Sequence, residues 1–119
     1  MMALHDNLAT LTAYANDVDY AEAAVEQLKN FARPGDVLLA ISGSGNSPNV
    51  VKAAEWARSA GLRTIALTGR DGGRLGPASE LEIRVSEPHM GRIEDAHMIV
   101  CHMICYYFMD AAGGGECAG

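Results

Sequence analysis

Val37-Leu38-Leu39-Ala40-Ile41 is apolar at every position, and the chain then passes through Ser42-Gly43-Ser44-Gly45-Asn46-Ser47 straight into Pro48 and a helical pattern. A short run with no polar alternate fits a strand covered on both faces, the usual condition of a parallel sheet. Ser47 offers an N-cap and Pro48 a first-turn residue with no N–H to lose, after which Val50, Ala54 and Ala57 form an apolar stripe ending at Gly61. A strand that turns this tightly into a helix commits the chain to an α/β crossover, because the next parallel strand can be reached only over one face of the sheet.

The remaining periods agree. Ala21, Val25, Leu28 and Phe31 lie at helical spacing until Arg33-Pro34-Gly35-Asp36 breaks it. Arg63 to Thr68 contains a second strand, Thr64-Ile65-Ala66-Leu67, closed by Gly69-Arg70-Asp71-Gly72-Gly73; Leu81 to Val85 is a third, followed by a long helical pattern. These elements predict an α/β fold, a three-layer α/β/α arrangement around a mainly parallel sheet. With 119 residues, 49% hydrophobic and 20% charged, the chain has the composition of one globular domain, assigned to residues 1–110, with a Gly-rich disordered tail at 111–119. A net charge of −6 gives no attraction to nucleic acid or an anionic membrane, so neither is expected as a partner. No apolar run approaches the roughly 20 residues needed to span a bilayer, and Met1-Met2-Ala3-Leu4-His5-Asp6 has no leader pattern, so a cytoplasmic chain is expected. Three cysteines, crowded at one end, fit reduced thiols better than a disulfide framework.

In an open parallel sheet, ligands collect beyond the carboxyl ends of the strands, where the Ser42–Ser47 turn lies. Ser42, Ser44 and Ser47 supply hydroxyls, Gly43 and Gly45 let the backbone approach a ligand, and the helix N-terminus adds unpaired N–H groups with partial positive charge. That set suits a phosphate monoester. The competing reading is a tight connection and nothing more. The turn has no P-loop lysine and does not match the dinucleotide fingerprint, which points to a small sugar phosphate rather than a nucleotide.

The stretch "GDVLLAISGSGNSPNVVKAAEWARSAGLRTIALTGRDGG" closely resembles the sugar isomerase (SIS) domain, in particular its phosphoheptose isomerase branch. "LTAYANDVDYAEAAVEQL" is similar to that branch around its Ala-Asn-Asp motif, and "GRIEDAHMIVCHMICYY" is similar to its C-terminal helix. The resemblance implies the flavodoxin-like SIS fold and interconversion of sedoheptulose 7-phosphate with a heptose 7-phosphate through an enediol. It implies that Ser42, Gly43, Ser44 and Ser47 hold the phosphate, with Gly43 standing where the family has threonine, and that Asn16 and Asp17 contact substrate. Glu94 falls where the family has a glutamine that touches substrate and zinc, and His102 falls on its catalytic, zinc-binding histidine. The family's N-terminal helices, first strand and a helix with a further metal-binding histidine and catalytic glutamate have no counterpart here, so the chain reads as the C-terminal portion.

Without the family, the last helix presents Ile93, Ala96, Val100, Met103, Ile104 and Tyr107 as a core face. His97 borders it as a core histidine, and Cys101 and Cys105 are expected to be small buried hydrophobes. Glu94, Met98, Cys101, His102 and Cys105 lie on the other side, so the helix is expected to be covered twice, the second time by another copy of the chain in a dimer or tetramer. Trp56, off the main stripe of its helix, is either part of that interface or exposed. Glu94 and His102 are two turns apart, roughly 12 Å, and need ligands from another element to hold zinc. Three functions stay open: an isomerase represented by an incomplete chain, a noncatalytic phosphosugar-binding module like the replication-initiator-associating adaptors of the same branch, and a structural remnant.

Overall fold

The computed structural model describes residues 1–113. Helix α1 (Leu8–Asp17) is capped by the Asn7 side chain, which accepts from the Thr10 N–H at 3.0 Å. After it come a 3-10 turn (Tyr20–Glu22), α2 (Ala23–Phe31), β1 (Val37–Ser42), α3 (Pro48–Ser59), β2 (Arg63–Gly69), a one-turn α4 (Leu75–Ala78), β3 (Leu81–Val85) and α5 (Met90–Gly113). The three strands pair in the order β1-β2-β3, all parallel. The expected α/β layering is therefore present. Helices α3 and α4 pack on the face that carries Leu38, Ala40 and Ala66, α2 packs outside α3, and α5 lies on the opposite face over β2 and β3.

Two clusters make the core. Ala40, Val51, Ala54, Ala66 and Leu75 close the sheet under α3 and α4; Ala24, Leu28, Ala53, Ala57 and Leu62 bind α2 to α3. Alanines on α3 let both neighbours approach, so Ala54 and Ala57 are completely buried as the stripe predicts. Val51 and Ala53, outside that stripe, are buried too, because α3 is sandwiched between the sheet and α2. Trp56 packs half-buried against the second cluster, which corrects the exposed alternative. Ion pairs Lys52–Glu22, from α3 to the 3-10 turn, and Arg63–Glu80, at the start of β2, stay at the surface.

Several expectations change. The helix expected from Ala21 begins at Ala23, since Asp19 caps the 3-10 turn by accepting from Ala21 N–H, and Phe31 is exposed. β1 is covered on one face only: Val37 and Ile41 point to the α5 side, where α5 crosses β2 and β3 but leaves them exposed. α5 continues through Gly113, so the first residues of the predicted tail are helical, and 114–119 lie outside the described residues. With 24 residues α5 is roughly 36 Å long, about twice the reach of the five-residue β3. Its first half packs, with Ile93 and His97 buried; its second half overhangs, leaving Met103 and Tyr107 of the predicted core face exposed, Cys101 half-buried and Cys105 exposed. The double cover expected for this helix is not made by the described residues of one chain.

Candidate functional site

The turn after β1 is built around Ser42. This last residue of β1 is buried, and its Oγ shares a 3.1 Å hydrogen bond with Ser47 Oγ and lies 3.5 Å from Ser44 Oγ. The three hydroxyls thus converge. Asn46 ties the loop together: its N–H donates to Ser44 Oγ and its Nδ2 to Ser44 O, both at 3.1 Å. Gly45 takes φ +68°, and a side chain there would run into the Gly72 carbonyl. Ser47 stands at the N-cap and Pro48 at the first helical position, but the Ser47 hydroxyl makes no capping bond because it is engaged with Ser42. Val50 and Val51 N–H donate back to Ser47 O, and the first-turn N–H of Asn49 has no backbone partner among the described residues. Hydroxyls, an open helix N-terminus and a glycine-lined approach form a cradle for a small anion.

Two more loops border this cradle. The loop after β2 touches it directly, since Leu75 N donates to Gly45 O at 2.8 Å and Arg74 N to Asn46 Oδ1 at 3.1 Å. From the β3 side comes the start of α5. A side chain on Gly43 would lie 2.5 Å from Met90 Sδ, so the space of the family's threonine is taken here by the Met90 thioether. Gly69 gives room to Ile93, and His97 Nε2 donates to Thr68 O at 2.8 Å, which makes it the core histidine expected and locks its tautomer. The contribution of the loop after β2 was missed by reading the glycines of Gly69–Gly73 only as a strand terminator; a paired Gly72-Gly73 beside another glycine turn is a signal of close backbone contact.

Other candidates stand apart. Asn16 and Asp17 end α1, exposed, and α1 packs on the 3-10 turn and α2 rather than on the turn after β1. Glu94 and His102 are both exposed on α5. Glu94 is one helical turn, roughly 6 Å of rise, from Met90, whereas His102 is roughly 18 Å of helical rise from it. Among the described residues no three His, Cys, Asp or Glu side chains come close enough to share a metal ion. Glu94 and His102 alone therefore do not fit a zinc site among the described residues.

A family model described as the SIS domain matches residues 1–69, more than half of the chain. The chain belongs to the SIS-domain family. Its similar relatives are phosphoheptose isomerases. It is 44% identical over 107 residues to the phosphoheptose isomerase of Shewanella denitrificans, covering 87% of this chain and 55% of that protein. It is 44% identical over 104 residues to the probable phosphoheptose isomerase of Thermoplasma volcanium, covering 87% and 53%. Among solved structures, the Neisseria gonorrhoeae phosphoheptose isomerase superposes with a TM-score of 0.85 at 36% identity over 87% of this chain and 59% of that one. The Francisella tularensis enzyme gives 0.84 at 32% over 87% and 56%. This SIS domain spans about half the length of the curated relatives it matches.

Proposed function

We propose that this SIS domain is the phosphosugar-binding part of a phosphoheptose-isomerase-type enzyme acting on sedoheptulose 7-phosphate. The single observation that carries the reading is the convergence of the Ser42, Ser44 and Ser47 hydroxyls beneath the open N-terminus of α3. Ser44 Oγ accepts from Asn46 N–H, which leaves its own proton free to donate to a phosphate oxygen. Glu94, one helical turn beyond the Met90 that borders the cradle, is the proposed contact for the sugar hydroxyls of a ligand anchored there.

Isomerisation moves a proton between adjacent carbons and needs an acid-base group beside them. His102 is the candidate in this chain, but its rise of roughly 18 Å from Met90 takes it away from its own turn. A homo-oligomer, dimer or tetramer, would bring His102 of one copy to the cradle of another, and the exposed apolar half of α5 supports that assembly. Zinc enters no step here, because Glu94 and His102 do not fit it by themselves; donors from outside these residues would be required. Asn16 and Asp17 remain substrate contacts by family correspondence, and a cytoplasmic setting fits this phosphosugar chemistry. No helix among the described residues is long and apolar enough to cross a membrane.

Calorimetric titration of sedoheptulose 7-phosphate into the chain and its Ser44→Ala variant tests the reading. Binding that weakens several-fold in the variant supports it; equal affinity for both removes the phosphate role of the turn. Heptose 7-phosphate formed in the same samples would show an isomerase and remove the reading of a noncatalytic phosphosugar-binding module.

A further inference from the structure

Glu82 occupies a place where a parallel strand ordinarily puts an apolar side chain. It lies in the cross-strand row Ala40, Ala66, Glu82, on the sheet face covered by α3 and α4. Its carboxylate is held from two sides: Thr68 Oγ1 donates to Oε1 at 2.5 Å, while Arg84 donates through Nε to Oε1 at 2.9 Å and through Nη2 to Oε2 at 2.8 Å. Thr68 is completely buried and is the register neighbour of Ser42, the serine at the base of the cradle. The Glu82 side chain is only 19% exposed, unlike the carboxylate of the surface pair Arg63–Glu80, which is 46% exposed.

The loop after β2 is folded around this carboxylate. A side chain on Gly72 would strike Glu82 Oε1 and the Arg84 guanidinium, and one on Gly76 would lie 2.7 Å from Glu82 Oε2. The opposite side of the same loop is the wall of the anion cradle, through Leu75 N to Gly45 O, Arg74 N to Asn46 Oδ1 and the Gly45–Gly72 backbone contact. One short loop is thus gripped between a bidentate, partly desolvated ion pair and the phosphate turn. Charge-assisted, forked hydrogen bonds of this kind are the strong ones and fix geometry as well as energy.

We propose that Glu82, oriented by Thr68 and Arg84, is a positioning residue for ligand binding: it holds Gly72–Leu75 in place, and that backbone holds Gly45 and Asn46 so that the cradle is formed before the anion arrives. Glu82 itself touches no ligand. The proposal rests on the reading of the Ser42–Ser47 turn as a phosphate site. Its physical content is pre-organisation, since a loop that must be ordered on binding lowers affinity by the cost of ordering it. Glutamine at this position keeps the volume but replaces one acceptor oxygen with a donor facing Arg84 or Thr68.

The test compares wild type with Glu82→Gln, Thr68→Val, Thr68→Ser and Arg63→Ala, using sedoheptulose 7-phosphate as the probe in calorimetry and amide hydrogen exchange to read the Leu75 and Gly45 N–H groups. Glu82→Gln and Thr68→Val are each expected to weaken binding about tenfold and to accelerate exchange at both amides. Thr68→Ser, which keeps the hydroxyl, is expected to bind as wild type does, and so is Arg63→Ala, which cuts the ion pair at the other end of the same strands. Wild-type affinity and exchange in Glu82→Gln, with only a lowered melting temperature, would overturn the proposal and leave the pair a stability feature. Should Glu82→Gln not fold, the Thr68→Val and Thr68→Ser pair carries the same comparison. If wild type binds no phosphosugar, the reading of the turn falls, while unchanged exchange in the variants would separately overturn the claim that Glu82 holds the loop.

Discussion

Gln27 illustrates how a single side chain can be at odds with its surroundings. It sits on α2 only 2% exposed, and its Nε2 is buried with no hydrogen-bond partner among the described residues. An unpaired buried donor costs about 1–3 kcal/mol relative to an apolar group of similar shape. Gln27→Met is therefore expected to stabilise the chain by about 1 kcal/mol, seen as a higher urea midpoint with an unchanged slope; a lower midpoint would mean that the amide is satisfied in solution. His97 is the contrasting case. It is just as deeply placed, but its bond to Thr68 O makes its polarity structural, and reading it as a core residue from the helical wheel was correct. The hydroxyls of Ser42, Ser44 and Ser47 were also legible as a group, although Ser47 bonding to Ser42 instead of capping α3 was not, since both uses of the hydroxyl fit the same sequence.

At the scale of elements, the Glu82–Arg84 pair on β3, joined to Thr68 of β2, is expected to make stability depend on pH. The Arg84 guanidinium, and secondly the Thr68 hydroxyl, hold the Glu82 carboxyl below its ordinary value of 4.5, against the opposing effect of burial. A lowered folded-state pKa means that the contribution is complete above the unfolded value and is lost as pH falls through the folded one. The stability difference between wild type and Glu82→Gln is thus expected to be constant from neutral pH down to about pH 5 and to shrink below about pH 4. Melting temperatures measured across that range check it, and a difference that persists unchanged in acid would show that Glu82 is not ionised in the fold. The second half of α5 is the other informative element. Met103, Tyr106, Tyr107, Phe108 and Met109 are all more than half exposed, an apolar stretch larger than a monomer ordinarily shows. A Met103→Glu and Tyr107→Glu double variant is expected to lower self-association without lowering the melting temperature much, since both side chains are about two-thirds exposed. Sedimentation at micromolar concentration reads this, and association equal to wild type would place the contact elsewhere.

For the whole molecule, the decisive fact is that ligand and catalytic candidates are divided. The three hydroxyls of the turn after β1 converge within one chain, while His102 is far along α5 and no third metal ligand joins Glu94 and His102 among the described residues. The chain by itself is accordingly expected to bind zinc weakly and to form heptose 7-phosphate negligibly, even where it binds the phosphosugar. Zinc titration by calorimetry and the isomerase assay with and without zinc are the measurements. Substantial zinc-dependent turnover that survives His102→Ala would mean that the acid-base group has been misassigned.

The strand, turn and helix from Val37 to Gly61 could be read directly because the information is local: an uninterrupted apolar run, small residues where the backbone turns sharply, and a proline at the first helical position. The parallel sheet followed from the alternation of such segments, and α4 escaped notice because a single turn containing Pro77 has no period to detect. What only the tertiary structure decided is which faces find cover. An apolar strand reads the same whether one or both faces are packed, and an apolar helix reads the same whether it ends over the sheet or runs past it. Val37 and Ile41 stay exposed because α5 crosses the other two strands, and the far half of α5 stays exposed because the helix is longer than the sheet beneath it. The grip of Glu82 on the Gly72–Leu75 loop is decided the same way, since residues distant in sequence meet only once three parallel strands have brought their carboxyl ends to one edge of the sheet.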